Sequence, residues 1–383
     1  MSTYIPLSGA DYIGSFHEGR AFIRNEDWKC GYIDADGEIV IPLLYECRTD
    51  NAFVFDFFSE GLASLFKDEK LGFVDKSGGV AIDFQYDYAY TFADGLCGVR
   101  KDGKYGFIDK SGETVIPMEY DRVYYFNDGL APAGRDGKLG YIDKSGKTAI
   151  PFIYDVETGP PVDFYADGTP VSLNGKKGYI DRTGETLIPF GLEFDQIFGF
   201  MGNLAPVAIG RQVEIAMRKD ESAEDFERRV NEITRGAQHW GMIDKTGAVV
   251  IPLEYERVFY TPEGVATMKA GVQHFYDGTG RLLRTTDYDV IGAYNDGWAS
   301  ARKGSEYFFI DGFGDVKLSV GGVFDRVSAF FEGFALVSKD GRYGFIDRSG
   351  AVIVPPEYSY ANPVREGIAV ARKDDEWGLL RVV

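Results

Sequence analysis

Apolar and polar positions along this chain fall into short alternating runs, broken at regular intervals by Gly and Asp. Runs of this length with β-branched and aromatic residues predict strands, and the Gly-containing breaks predict tight turns. One unit shows the pattern in full. Gly106-Phe107-Ile108-Asp109-Lys110-Ser111-Gly112 is followed by Glu113-Thr114-Val115-Ile116-Pro117. The same phrase recurs from Gly31, Gly72, Gly140, Gly178, Gly241 and Gly344. Two worn copies start at His274 and Phe308, where the leading Gly is lost, and a partial copy ends the chain at Trp377-Gly378-Leu379-Leu380. Gly72, Gly106 and Gly140 stand 34 residues apart, the basic period of a tandem array of about ten units.

Each position in the phrase has a physical use. Asp followed three residues later by Gly predicts a hairpin turn of type I closed by a G1 bulge, with the Asp carboxylate taking backbone N–H groups and Gly adopting the left-handed conformation. The turn Asp residues are Asp34, Asp75, Asp109, Asp143, Asp181, Asp244, Asp277, Asp311 and Asp347. Pro42, Pro117, Pro151, Pro189, Pro252 and Pro355 cannot donate to a ladder and predict a strand end or an edge. An aromatic-acid pair follows, as in Tyr86-Asp87, Tyr120-Asp121, Tyr154-Asp155, Phe194-Asp195, Tyr255-Glu256, Tyr288-Asp289 and Phe324-Asp325. A second Gly turn, as in Asp128-Gly129-Leu130-Ala131 and Glu332-Gly333-Phe334-Ala335, opens a third strand. A unit is thus three short strands plus a connector with room for a fourth. Too small to bury its own apolar face, it must stack on its neighbours.

The predicted fold class is therefore all-β, a single array over residues 1–383. The chain opens in mid-unit, with Tyr4-Ile5-Pro6 matching a second strand, and closes on a first strand. The two fragments sum to one unit, which favours a propeller-like ring closed by pairing of the termini and free of exposed edges. An open β-superhelix or two smaller rings satisfy the same arithmetic.

Two inserts interrupt the period. Near 48–58, Phe53, Phe55, Phe57 and Phe58 alternate as in a strand, and the first three are candidate partner anchors as well as candidate core. Near 211–238, Ser222 and Asp225 resemble a capping box, with Phe226, Val230 and Ile233 on one helical face. This predicts a helix packed on the array's rim or, through Phe226, Arg228 and Arg229, a partner-recognition element.

Composition changes the picture in three respects. The formal net charge of −19 repels nucleic acid and anionic membrane surfaces, and suits either a solubilising surface or attraction of a basic protein. Cys30, Cys47 and Cys97 are odd in number and lack CxxC spacing, so no disulfide framework is expected. With no signal-like N-terminus and no membrane-length apolar run, a cytoplasmic location is expected. Catalytic chemistry is not evident. His17, His239 and His274 lie in separate units, nucleotide and hydrolase motifs are missing, and one Asp per turn makes a poor calcium cage. No catalytic residue, metal site or cofactor is assigned, and the oligomeric state is left open.

The phrase Gly-Tyr/Phe-Ile-Asp-Lys-Ser/Thr-Gly, with Val-Ile-Pro, Tyr-Asp and Glu/Asp-Gly-Leu-Ala, resembles the bacterial WG-repeat family. The naming Trp-Gly pair survives as Trp240-Gly241 and Trp377-Gly378; elsewhere Tyr105, Tyr343, Leu71, Leu139, Cys30 or Lys177 precedes the Gly. The resemblance implies a β-rich interaction scaffold and no shared catalytic residues. The leading expectation is a non-catalytic protein-binding scaffold, in one concrete form an immunity or inhibitor protein for a basic toxin. The alternatives are a glycan-binding module using the aromatic-acid pairs and a propeller hydrolase.

Overall fold

A computed structural model describes residues 2–47, 57–156, 164, 168–210 and 238–382. Among these the chain is all-β, a series of small antiparallel sheets with no helix. Most sheets have four strands. Thr114–Tyr120, Lys104–Asp109, Leu96–Lys101 and the two-residue Tyr88–Ala89 lie side by side in that order, so the connector supplies the fourth strand. Two compact units are formed, one from Met1–Ala149, Ile291–Phe309 and Val316–Val383, the other from Ile150–Val290 and Ile310–Asp315.

Within the first unit, sheets stack through shared cores. Leu71, Phe73, Ile82 and Tyr86 of one sheet pack with Phe92, Cys97, Val99 and Ile108 of the next. Successive residues such as Phe107 and Ile108 point to opposite faces, yet both are buried. A strand covered on both faces reads as a continuous apolar run, which is why Gly-Tyr/Phe-Ile lacks a polar member.

Each turn Asp does the same local work. Oδ1 of Asp109 accepts from the N–H of Ser111 at 2.9 Å and of Glu113 at 3.1 Å, and from the Ser111 hydroxyl at 2.6 Å. Gly112 N donates to the Asp109 carbonyl and Asp109 N to that of Glu113, while Gly112 sits at φ 85°, the geometry of a type I turn with a G1 bulge. Asp34, Asp75, Asp143, Asp181, Asp244, Asp277, Asp311 and Asp347 repeat both carboxylate-to-backbone contacts.

Pro189 marks a strand end, directly after Thr186–Ile188, whereas Pro42, Pro117, Pro151, Pro252 and Pro355 stand inside their strands. Pro117 stands mid-strand in Thr114–Tyr120, on the sheet edge. Tyr105 pairs with Tyr120 and Phe107 with Ile116, so Gly106 alone spans the bulge at 117–119. A Cβ on Gly106 would lie 2.4 Å from the Ile116 carbonyl oxygen and 2.7 Å from that of Pro117. The leading Gly and the Ile-Pro bulge are therefore one device. The bulge follows the Gly: the unit at Gly72 keeps it with Asp83 in place of Pro, whereas in the worn copy at His274 the Gly is lost and Gln273, His274 and Phe275 pair in unbroken register with Thr286, Thr285 and Arg284.

The acid before the second Gly turn joins one repeat unit to the next. In the first unit the carboxylate of Glu332 accepts from Gly367 N at 2.9 Å, Glu366 from Gly19 N at 2.7 Å, Glu18 from Gly61 N at 3.0 Å, Glu60 from Gly95 N at 3.2 Å and Asp94 from Gly129 N at 3.2 Å. These acids sit at φ values from 51° to 56°. The relay passes through the chain ends. There Thr3–Pro6 pairs with Gly378–Arg381, and Ile13, Phe16 and Ile23 pack against Ile368, Val370 and Leu379.

Candidate functional site

Most polar residues of the repeat are spent on turns and latches, and side chains outside those duties gather where the repeat breaks. It breaks at the hairpin after Arg20–Asn25. The equivalent hairpins, such as Asp102-Gly103 and Asp136-Gly137, are two-residue turns with φ positive at both positions. Here Glu26, Asp27 and Trp28 intervene instead. Trp28 N donates to the Asn25 carbonyl at 3.0 Å and Lys29 N to Asn25 Oδ1 at 2.9 Å. Trp28 then occupies the left-handed place usually held by Gly, at φ 59°, and remains 43 % exposed. A bulky residue in that conformation costs on the order of 1–2 kcal/mol.

Cross-strand register gathers further groups beside it. Tyr12, Arg24, Cys30 and Tyr45 stand opposite one another across four strands. The register skips Asp11, and its carboxylate holds Arg24 in a bidentate pair, Nε to Oδ1 at 2.9 Å and Nη2 to Oδ2 at 3.1 Å. The guanidinium lies 4.1 Å from the Trp28 ring centroid and 5.5 Å from that of Tyr12. Cys47 follows the strand Ile39–Glu46 and its N–H donates to the Trp28 carbonyl at 3.0 Å. This places its thiol diagonally across from that of Cys30. The Cys30 thiol hydrogen-bonds to Cys47, burial opposes ionisation, and Arg24 adds a hydrogen bond and its charge; together they lower Cys47 to about 6. The bond to Cys47 and burial push Cys30 strongly up.

Of the residues expected to meet a partner, Phe53, Phe55, Phe226, Arg228 and Arg229 lie outside the described residues, as does the expected helix. Phe57 is half-buried, its ring 4.8 Å from that of His17. Phe58 is buried in the core with Tyr32, and neither Phe57 nor Phe58 is in a strand. The aromatic-acid pairs are committed to the fold. Tyr86, Tyr120, Tyr154 and Tyr255 are buried, while Asp87, Asp155, Asp195, Glu256 and Asp325 accept from backbone N–H groups of the following hairpins. Phe324 is buried as well, and Phe194 and Tyr288 are half-buried. Among the described residues, no group of three or more His, Cys, Asp or Glu is placed to hold a metal ion, and no helix is long and apolar enough to cross a membrane.

Sequence reasoning passed over Asp11, Arg24 and Trp28. The available signal was the extra residue in the Asn25–Lys29 turn and a Trp where the turn calls for Gly.

Stacked antiparallel sheets with this Gly–bulge coupling define a β-repeat array. Residues 31–70, 72–105, 105–138, 140–156, 178–210, 240–271, 307–343 and 343–377 match the WG containing repeat, more than half of the chain, and the protein belongs to that family. No curated protein matches it. Among solved structures it is similar to a eukaryotic initiation factor, at 10% identity and TM-score 0.49 over 83% of this chain and 92% of that one. It is also similar to BamB from Moraxella catarrhalis, at 11% identity and TM-score 0.31 over 99% and 98%. A third is the Pan2 WD40 domain of Neurospora crassa, at 12% identity and TM-score 0.30 over 69% and 89%. Likenesses this distant carry no functional argument.

Proposed function

We propose that this protein is a non-catalytic scaffold that binds a basic protein partner, in the manner of an immunity or inhibitor protein capping a basic toxin. The observation that carries the proposal is the Asn25–Lys29 turn. An exposed Trp28 is held in a strained backbone conformation directly after the exposed acids Glu26 and Asp27. Trp, Tyr and Arg are the residue types that dominate interface energetics, and Trp28, Tyr12 and Arg24 stand together here. One Trp28 face is covered by Arg24, and the carboxylates beside the ring suit a Lys or Arg of the partner. The net charge of −19 would steer such a partner in.

The test is affinity capture from the native host followed by titration of the recovered partner. A single basic protein is expected, with affinity that weakens as salt rises. Trp28→Ala should weaken binding about 30-fold, the scale of a 2 kcal/mol hot spot, without lowering the melting temperature. An acidic partner, affinity indifferent to salt, or an unchanged Kd in Trp28→Ala would overturn the proposal.

A further inference from the structure

We infer that Cys47 and Cys30 form a redox couple, with Cys47 the peroxide-reactive thiol and Cys30 the thiol that resolves it into an intrasheet disulfide. Four features of the first unit place the chemistry. The two cysteines lie diagonally on neighbouring segments, Cys30 paired with Tyr45 and Cys47 two residues beyond it, and the Cys30 thiol donates to the Tyr45 carbonyl at 3.7 Å. Cys47 is partly exposed and Cys30 is buried, so solvent reaches one partner and not the other. The Arg24 guanidinium, fixed by the bidentate Asp11 pair, stands opposite Cys30 in register, and its charge favours the Cys47 thiolate. Cys47 is tied through its own N–H to the Trp28 carbonyl, which keeps it opposite the hairpin rather than free to turn away.

The steps balance. The Cys47 thiolate attacks one oxygen of a hydroperoxide and the O–O bond breaks. Cys47 becomes a sulfenic acid and the leaving oxygen takes up a proton. The Cys30 sulfur then attacks the sulfenic sulfur. An S–S bond forms, the S–O bond breaks, and the Cys30 proton leaves with the hydroxide as water. Two thiols are oxidised, and the peroxide is reduced to water and an alcohol, or to two waters from hydrogen peroxide. The charged and titratable groups around the pair are Arg24 and Asp11 from the first hairpin, Lys29 on the Cys30 strand and Tyr45 opposite it. Cys97 is a built-in control. Wholly buried, it has its thiol pushed strongly up by that burial.

The experiment uses the full chain. Native protein is alkylated with limiting iodoacetamide between pH 5 and 9 and each cysteine is followed by peptide mass spectrometry. Cys47 should react first, with a rate that levels off above about pH 7 instead of rising to about pH 9 as for an ordinary thiol. At pH 7 its thiolate fraction is about 30-fold above that of a free cysteine, and its lower basicity gives back about tenfold in nucleophilicity. The pH profile is therefore the sharper readout. Cys97 should react only after denaturation. Hydrogen peroxide should then link Cys30 to Cys47 within one chain, reversibly by dithiothreitol. Cys30→Ser should instead accumulate a dimedone-trapped sulfenic acid at Cys47. Equal labelling of Cys97 and Cys47, a Cys47 profile that climbs to pH 9, or peroxide-treated chains joined only to one another would overturn the inference. The labelling and crosslink arms use the unmutated protein, so a poorly folding variant does not shield it.

Discussion

Replacing Gly106 by Ala tests the coupling of the leading glycine to the Ile-Pro bulge. Gly106 lies outside the left-handed region, so its backbone conformation alone is open to alanine. The added carbon would meet the Ile116 and Pro117 carbonyl oxygens at 2.4 and 2.7 Å and Met118 Sδ at 2.8 Å. Two of the three obstacles are backbone, and they belong to the strand that Tyr105 and Phe107 pair with, so relief requires shifting the bulge. Overpacking of this kind costs about 3 kcal/mol, and the reduced entropy of the unfolded alanine chain offsets about 0.5–1 kcal/mol. A net loss of about 2–3 kcal/mol corresponds to about 5–10 °C in melting temperature for a cooperative unit of 150–250 residues. Gly129→Ala supplies the contrast. Gly129 has open space around it and φ 82°, so its substitution costs only left-handed strain of about 1–2 kcal/mol. Melting both variants by circular dichroism, with urea unfolding to expose any stepwise transition, measures the difference. A Gly106→Ala protein that melts with the unmutated chain, or no lower than Gly129→Ala, would refute the steric account.

Three more outcomes follow from the fold. Hydrogen bonds from the following Ser or Thr hydroxyl and from backbone N–H groups hold the turn carboxyls of Asp75, Asp109, Asp143, Asp244 and Asp347 below their ordinary range, and that of Asp277 at about 2. A lowered folded pKa gives stability that is complete above the unfolded value near 4 and lost as pH falls through the folded one. An acid titration by circular dichroism should therefore be flat above about pH 5 and fall between pH 4 and 2, and Asp277→Asn should flatten part of that fall. Glu366→Ala removes the acceptor for Gly19 N, should cost about 1 kcal/mol, and should speed hydrogen exchange at Gly19 more than at the equivalent Gly95. Deleting residues 2–7 removes the partner of Gly378–Arg381 and uncovers the cluster that Ile5 and Leu7 pack against, and should lower the first unfolding transition and strip protection from that strand.

What the chain carried in its own order was everything local. The Asp turns close through contacts two to four residues away, so Asp109 and Gly112 announce their geometry without reference to anything else. The burial of Phe107 and Ile108 is equally legible, because a strand with no polar alternation must be covered on both faces. Tertiary structure decided the rest. Pro117 is read as a strand end or an edge, and only the sheet shows that it sits mid-strand on an edge with Gly106 spanning the bulge. Glu366 is one more acidic turn residue until the termini meet and its carboxylate finds Gly19, 347 positions away. Arg24, Asp11, Trp28, Cys30 and Cys47 come from three hairpin segments whose meeting depends on register, and a shift of one residue would turn their side chains to opposite faces. Short-range hydrogen bonds are specified by neighbouring residues. The latches and the thiol–arginine cluster are specified by which strand lies beside which, and no single segment of the sequence states that.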